Sequence, residues 1–257
     1  MSQTLPTGQR PPESGLDQPL YTPIKRRSFF MYAGATAGAT ALVLAGCSKD
    51  NTSTPGTIDV SNGNSDANVA VLNYAYALEQ LEAAFYAQVL AGSYFTGLSA
   101  SSAERQLFTD LALHEKIHVD FFKAALGANA IQALTPNFSS INFNDRGSVL
   151  SNAQSFEDLG VAAYNGAGRY LTNPDLLTLA GKIVSVEARH AALIRDTIAY
   201  NTFVGTFTAN SNGSVTLNGD ILDPTTRQEK SKLPSVVLAT ANTFLASGSQ
   251  LTANTLG

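Results

Sequence analysis

Apolar residues recur at helical spacing in four segments of the chain, all of which lie within residues 65–200. Within each segment they are separated by steps of three and four residues, the period of a helix that buries one face. Gly92, Gly127 and the pair Asn173-Pro174 interrupt the pattern, as expected between helices. The pattern predicts an all-α fold with four main helices packed as a bundle. The apolar faces are formed by Leu72, Tyr76, Ala83, Tyr86 and Leu90; by Phe108, Leu111, Phe122 and Leu126; by Ala153, Gly160, Tyr164, Ala167 and Leu171; and by Leu176, Ala180, Ile183 and Ile194.

The connection between the second and third helices is unusually long. Residues 128–151 lack helical period and contain Pro136 and Gly147, and loops of this length are uncommon inside a compact domain. A crossover that runs the length of the bundle explains it, because a helix of about 26 residues is roughly 39 Å long and an extended loop easily spans that. Ser151 and Gln154 are then expected to cap the third helix.

Residues 201–257 differ in composition from the bundle. Short β-forming runs at 206–208 and 214–217 flank an Asn/Ser/Gly turn, which predicts a small hairpin. A loop follows, and the segment from Pro234 to about Ala246 predicts a short fifth helix. No catalytic pattern occurs here, so we expect this C-terminal extension to pack on the bundle as a structural cap.

The N-terminal segment predicts export. Lys25-Arg26-Arg27 precede an apolar run, 29–45, that closes with Leu44-Ala45-Gly46-Cys47, the order of a secretory signal. The paired arginines with Ser28-Phe29-Phe30 resemble a twin-arginine signal, and the run ending in Cys47 resembles a bacterial lipobox. This predicts a signal at 1–46, lipidation of Cys47 and anchoring in the bacterial cell envelope, at the periplasm or the cell surface. The alternative is a membrane-spanning anchor, for which about 17 apolar residues is short.

The composition of the remaining chain narrows the function. Residues 47–64 are rich in Ser, Asn, Thr and Gly and are expected to form a flexible tether that keeps the bundle near the membrane. The full chain has 20 acidic and 16 basic residues. An acidic balance without a basic cluster argues against nucleic-acid binding. Cys47 is the only cysteine, so no disulfide framework exists.

The apolar faces are interrupted by carboxylates and imidazoles. These residues are Glu79 on the first helix, Glu115 and His118 on the second, Glu157 on the third, and Glu187 and His190 on the fourth. Burying an ionised carboxylate costs several kcal/mol unless it is paired or bound to metal. Glu-x-x-His, which occurs twice, places both side chains on one face of a helix. Two divalent cations between the helices would offset the repulsion among the four carboxylates.

The order of these residues repeats along the chain. Glu79 is followed seven residues later by Tyr86, and Glu157 is followed seven residues later by Tyr164; in each case a Glu-x-x-His comes next. Two similar helix pairs predict a site with approximate two-fold symmetry. Tyr86 and Tyr164 are expected to be core residues bonded to ligand carboxylates rather than redox-active radicals.

This ligand set resembles the ferritin-like superfamily. One Glu from each of two helices, with a Glu-x-x-His from each of the other two, is the set of its dinuclear carboxylate proteins. The run Leu-Glu-Gln-Leu-Glu-Ala-Ala-Phe-Tyr from Leu78 resembles the branch that includes plant desiccation-related proteins. The resemblance implies a ferritin-like four-helix bundle over about 65–200, with the six residues as metal ligands. It also implies that Glu115 and Glu187 bridge the metals.

Several interpretations of single residues stay open at this stage. Glu82 lies one turn from Glu79 and competes with it as the ligand from the first helix. His114 points about 100° away from Glu115, which favours a solvent-facing or supporting role over ligation. The core carboxylates could instead be satisfied by buried arginines, for which the candidates are Arg105, Arg169, Arg189 and Arg195.

The implied function is redox chemistry at two Fe or two Mn ions, with O₂ or H₂O₂ as substrate. Mixed carboxylate and imidazole ligation suits these metals, and both ferroxidase-like and manganese catalase-like reactions are compatible with it. The alternative is a non-catalytic stress-protection or binding module stabilised by metal. A closed iron-storage shell would be crowded by the lipid anchor and the C-terminal extension, whereas a smaller homo-oligomer stays open.

Overall fold

Four long helices form the body of the computed structural model, which describes residues 56–205, 207–209, 215–217, 221–223, 225–226 and 228–256. Helix α1 packs against α3, and α4 packs against α5, which confirms the all-α bundle. Among the described residues, no helix is both long and apolar enough to cross a membrane. The helices are α1 (Ala67–Ala91), α2 (Ser93–Thr96), α3 (Ala103–Leu126), α4 (Arg146–Ala167), α5 (Pro174–Ile198) and α6 (Pro234–Ala241); the strands are β1 (Thr57–Asp59), β2 (Phe207–Ala209), β3 (Val215–Leu217) and β4 (Gln250–Thr252).

The helix starts follow local capping chemistry, with one correction. The Asn173 side chain accepts a hydrogen bond from the Asp175 amide at 2.9 Å, with Pro174 at the first helical position, as predicted. Helix α4, however, begins at Arg146 and not near Ser151. The Asp145 carboxylate accepts from a backbone amide at this end, at 2.7 Å. The polar composition of this turn hid its helical character, although buried Val149 and Leu150 belong to the same face.

The crossover between α3 and α4 runs along α1, as predicted. The wholly buried Asn73 donates to the carbonyl of Asn129 at 2.8 Å and accepts from the amide of Ile131 at 2.9 Å. Further along, Gln80 accepts from the amide of Leu134 at 3.0 Å. These bonds satisfy main-chain groups that would otherwise lose their partners on burial. Side chains of α1 therefore fix the path of the loop.

Part of the predicted flexible tether is ordered. Strand β1 pairs in parallel with β4, with Thr57 opposite Gln250, and Val60 is fully buried. The Asp59 carboxylate accepts a hydrogen bond from the Thr252 hydroxyl at 3.1 Å. The prediction of a tether extending to residue 64 is therefore wrong from Thr57 onward, because the partner strand lies at the far end of the chain. The predicted signal, lipidated cysteine and first part of the tether lie outside the described residues.

The C-terminal extension packs on the bundle. Strands β2 and β3 form the predicted antiparallel hairpin. Helix α6 ends at Ala241, earlier than the predicted Ala246, and continues as a single 3₁₀ turn to Phe244. The Phe244 ring lies 4.9 Å from that of Phe156 on α4. A Cβ atom at Gly166 would lie 1.7 Å from the carbonyl oxygen of Lys232, so only glycine lets the extension approach α4 this closely.

Candidate metal centre

The six sequence-predicted residues converge in the middle of the bundle. They form two groups, and within each group the candidate ligand atoms lie within 4.8 Å of one another. The first group is Glu79, Glu115, His118 and Glu187; the second is Glu115, Glu157, Glu187 and His190. The four carboxylates are fully buried and the two histidines almost so. Glu115 and Glu187 belong to both groups, a position that suits bridging. Metal ligation itself stays a prediction.

Each histidine presents Nδ1 to the carboxylates. His118 Nδ1 lies 3.1 Å from Glu79 Oε2, 3.2 Å from Glu115 Oε2 and 3.1 Å from Glu187 Oε1. His190 Nδ1 lies 2.8 Å from Glu115 Oε1 and 3.4 Å from Glu157 Oε2. The two ring centroids are 6.4 Å apart. Each half of the site thus pairs one imidazole with one carboxylate of its own and with the two shared carboxylates.

Two tyrosines bond crosswise to the unshared carboxylates: each tyrosine donates a hydrogen bond to the carboxylate on the other helix of the pair α1 and α4. Tyr86 on α1 donates its hydroxyl proton to Glu157 on α4, and Tyr164 on α4 donates to Glu79 on α1. This confirms that both tyrosines bond to candidate ligand carboxylates. Because each bond joins α1 to α4, the seven-residue spacing found twice in the sequence becomes a pair of related links across the site.

The site offers buried lone pairs that the protein leaves unmatched. Glu115 Oε1, Glu157 Oε2, both oxygens of Glu187 and His190 Nδ1 are buried without an aligned hydrogen bond among the described residues. The 2.8 Å approach of His190 Nδ1 to Glu115 Oε1 is close but poorly directed. Each buried polar atom left unpaired costs about 1–3 kcal/mol. Oxygen and imidazole donors at this density fit a pair of divalent cations such as Fe(II) or Mn(II).

The electrostatics of the cluster follow from burial and mutual charge. Burial raises the pKa of Glu79 to about 7 and raises the pKa values of Glu157 and Glu187. Burial also acts to raise the pKa of Glu115, but the hydrogen bond from His118 and the close approach of His190 hold it at about 2. Burial disfavours imidazolium, yet the surrounding carboxylates raise the pKa of His118 to about 12 and that of the other histidine to about 10. Three of the four carboxylates and both histidines therefore hold protons more tightly than the same groups do in water.

The similarity of the chain to known proteins agrees with this geometry. A family model described as ferritin-like domain matches residues 67–200, more than half of the chain. The chain belongs to the ferritin-like domain family. A search of curated proteins finds no match. The matched region begins with α1, extends just past the end of α5 and includes all six candidate ligands.

The arginines considered as partners of the carboxylates bind elsewhere in this ferritin-like domain. Arg195 forms an ion pair with Asp158. Arg105 and Arg169 donate to main-chain carbonyl groups, and Arg189 donates to a serine hydroxyl on its own helix. In the part of the chain that the structure describes, the only basic groups paired with the four carboxylates are those of His118 and His190. The interpretation as arginine-satisfied core carboxylates is therefore wrong.

Two further residues of the ferritin-like domain adjoin the site. Glu79, and not Glu82, belongs to the first ligand group, yet Glu82 is also only 4% exposed. Burial, and then the charge of Glu187, raise the pKa of Glu82 well above the usual value. His114 Nδ1 lies 3.0 Å from Nε2 of His190, which places it in a supporting position. Sequence reasoning treated Glu82 and Glu79 as alternatives, although their three-residue spacing, as in Glu-x-x-His, allowed both to face inward.

Proposed function

We propose that this ferritin-like domain binds two Fe or two Mn ions and reacts with O₂ or peroxide as an oxidoreductase. The observation that carries the proposal is the pair of buried ligand groups that share Glu115 and Glu187. Their unmatched lone pairs favour cations over a network of internal hydrogen bonds.

The residues would divide as follows. Glu79 and His118 would hold one ion, Glu157 and His190 the other, and the two shared carboxylates both. A metal pair of this kind supplies electrons and Lewis acidity to a bound oxidant. The chain itself contributes orientation and exclusion of water. The crosswise tyrosines fix the unshared carboxylates, and full burial keeps bulk solvent from the donor atoms.

An apolar cavity supports a small substrate. It lies among α1, α4 and α5, has a volume of about 20 Å³ and is lined by Leu78, Tyr164 and Ile183 among others. Tyr164 also bonds the candidate ligand Glu79, so the cavity adjoins the site. An apolar space beside the candidate ligands suits a small substrate such as O₂ or H₂O₂.

Metal analysis and reactivity of the purified chain test the proposal. The chain reconstituted anaerobically with Fe(II) or with Mn(II) should contain close to two ions. The Fe(II) form should oxidise in air faster than free Fe(II), with a transient visible absorption, or the Mn(II) form should evolve O₂ from peroxide. The Glu157→Ala variant should keep its helical circular dichroism and lose much of the activity.

The same experiment separates the enzyme from a metal-stabilised scaffold. A structural site would be filled by protein ligands and would leave no open position for an oxidant. If both metal forms are inert towards O₂ and peroxide while the melting temperature rises sharply on loading, the non-catalytic module is the better description. If neither ion binds, the dinuclear proposal is wrong.

We also propose that the protein is exported by the twin-arginine route and anchored through a lipid on Cys47. The support is the order of Arg26-Arg27, apolar run and lipobox-like Leu-Ala-Gly-Cys in the sequence. Changing Arg26 and Arg27 together to Lys should leave unprocessed precursor in the cytoplasm, and Cys47→Ser should abolish acyl labelling. Normal export of the double-Lys variant would point to the general secretory route.

A further inference from the structure

The internal repeat is broken at one pair of positions inside the site. Glu79 on α1 corresponds to Glu157 on α4, so the residue three positions further on is Glu82 in the first half and Gly160 in the second. Both positions lie one turn beyond a candidate ligand on the same helix face. One half of the repeat therefore carries an additional carboxylate where the other half carries no side chain at all.

These two positions meet in space. A Cβ atom at Gly160 would lie 3.1 Å from Glu82 Oε1 and 3.8 Å from Glu187 Oε2. The Glu82 carboxylate thus occupies the room left by the missing side chain at Gly160 and approaches a carboxylate common to both ligand groups. Only one of the two facing positions can carry a large side chain, because a second one would overlap the first.

The Glu82 carboxylate has no visible structural purpose of its own. Glu82 is only 4% exposed. Among the described residues it has no hydrogen bond or ion pair. Apart from burial, the largest influences on its pKa are the charges of other carboxylates, first that of Glu187. A buried carboxylate with only like-charged neighbours is costly to keep, so a cation is the partner that the arrangement lacks.

We propose that Glu82 is a seventh protein ligand of the metal pair, which makes the two metal positions unequal. The proposal rests on the dinuclear site proposed above and adds to it a residue outside the six of the repeat. The extra carboxylate adds one negative charge and one oxygen donor next to Glu187. The ion that it reaches is held more tightly than the other, so the two ions bind in two separate steps.

Mn(II) binding to the purified full chain tests the proposal, by calorimetry and by electron paramagnetic resonance. The native chain should bind two ions with distinguishable affinities. Removal of groups that merely support a ligand lowers metal affinity on the order of 10–100-fold. Glu82→Gln, which keeps the shape of the side chain, should therefore weaken one step at least about tenfold and leave the other within about threefold. Glu104→Gln is the matched control, since it lies near the start of α3 and should change neither step.

A second variant keeps Glu82 and fills part of the space that its carboxylate occupies. Gly160→Ala puts a methyl group 3.1 Å from Glu82 Oε1, so the carboxylate must shift. Ala has a higher helix propensity than Gly, so weaker binding in this variant could not be ascribed to a loss of helix. The affected step should weaken in the same direction as in Glu82→Gln.

The exchanged pair gives the sharpest outcome. The double variant Glu82→Gly with Gly160→Glu moves the carboxylate to the other half of the repeat and should restore two unequal steps to within about tenfold of the native affinities. Native-like binding by Glu82→Gln and Gly160→Ala would overturn the seventh ligand while leaving the dinuclear site intact. Absence of metal binding by the native chain would overturn both proposals.

Discussion

The two halves of the bundle, α1 with α3 and α4 with α5, carry the same residue types at the candidate ligand positions and different residue types beside them. Both contribute a Glu, a Tyr seven residues later and a Glu-x-x-His. They differ at Glu82 against Gly160, and at His114 against Val186, the residue that precedes each Glu-x-x-His. The shared positions surround the candidate ions, and the differing positions lie beside them. The comparison teaches that the repeat accounts for the six candidate ligands, whereas the residues that break it are the ones that would make the two proposed metal positions unequal.

The largest effect should come from the shared carboxylates, where the halves are equivalent. Glu115→Ala and Glu187→Ala should each lower Mn(II) affinity by more than about 100-fold, because the loss of a mere supporting group already costs on the order of 10–100-fold. Elemental analysis after dialysis should then find one ion or fewer per chain. If one variant retains both ions while the other loses them, the two carboxylates do not play equivalent roles.

Next in size is the pH dependence of the metal-free chain, to which both halves contribute. The folded pKa values of Glu79, about 7, and of His190, about 10, exceed the ordinary values of 4.5 and 6.5. The folded state therefore binds more protons than the unfolded state. The stability from these groups is complete below the ordinary values and is lost as pH rises through the folded ones. The melting temperature should fall by several degrees between about pH 5 and pH 9.

Metal loading provides the control for this pH series. Cations replace the protons of the cluster, so metal binding should release protons and strengthen as the pH rises. The melting temperature of the loaded chain should accordingly depend less on pH over the same range. A metal-free melting temperature that rises from pH 5 to pH 9 would contradict the protonated cluster.

A smaller and symmetric effect is expected at the crosswise tyrosines. Tyr86→Phe and Tyr164→Phe each leave a buried carboxylate oxygen without its donor, which costs about 1–3 kcal/mol. Urea unfolding of the metal-free variants should give free energies of unfolding that agree within about 1 kcal/mol. A much larger loss for one variant would indicate that the two halves are not equally packed around their links.

The smallest effect on metal affinity should come from His114, whose counterpart in the other half of the bundle is Val186. His114 contacts Nε2 of His190 at 3.0 Å and orients the ring whose Nδ1 faces the carboxylates. His114→Ala should weaken one metal step by about tenfold, and Val186→Ala should leave both unchanged. Mn(II) calorimetry on the two variants measures the difference. Equal affinities in both would mean that the bond to His190 does not support ligation.

Much of the site could be predicted from the sequence because its signals are local. A Glu-x-x-His is complete within one helical turn, and its place between Leu111 and Phe122, or between Ile183 and Ile194, fixes which face it occupies. The structure brings all six residues together as expected. The crosswise partners of the tyrosines were not predictable at this level. Spacing alone does not say whether Tyr86 bonds to a carboxylate of its own helix or of α4.

The features missed by sequence reasoning depend on distant parts of the chain. Helix α1 is buried almost all round, including Tyr74, Ala77 and Leu81 outside the predicted face, because the crossover and the C-terminal extension cover it. The apolar face predicted from period alone was therefore too narrow. Glu82 lies inside together with Glu79 because it faces Gly160 on α4, and the strand character of β1 depends on its partner β4 at the far end of the chain.

The pairing of β1 with β4 has a consequence for the order of folding. It joins residues near the two ends of the described chain, for instance Asp59 and Thr252. Closing a loop of about 190 residues costs on the order of 5 kcal/mol in chain entropy, far more than the turns between neighbouring helices. The helices are therefore expected to associate first, and β1 and β4 to pair late. Pulse-labelling hydrogen exchange should find the amides of α1 protected before that of Val60.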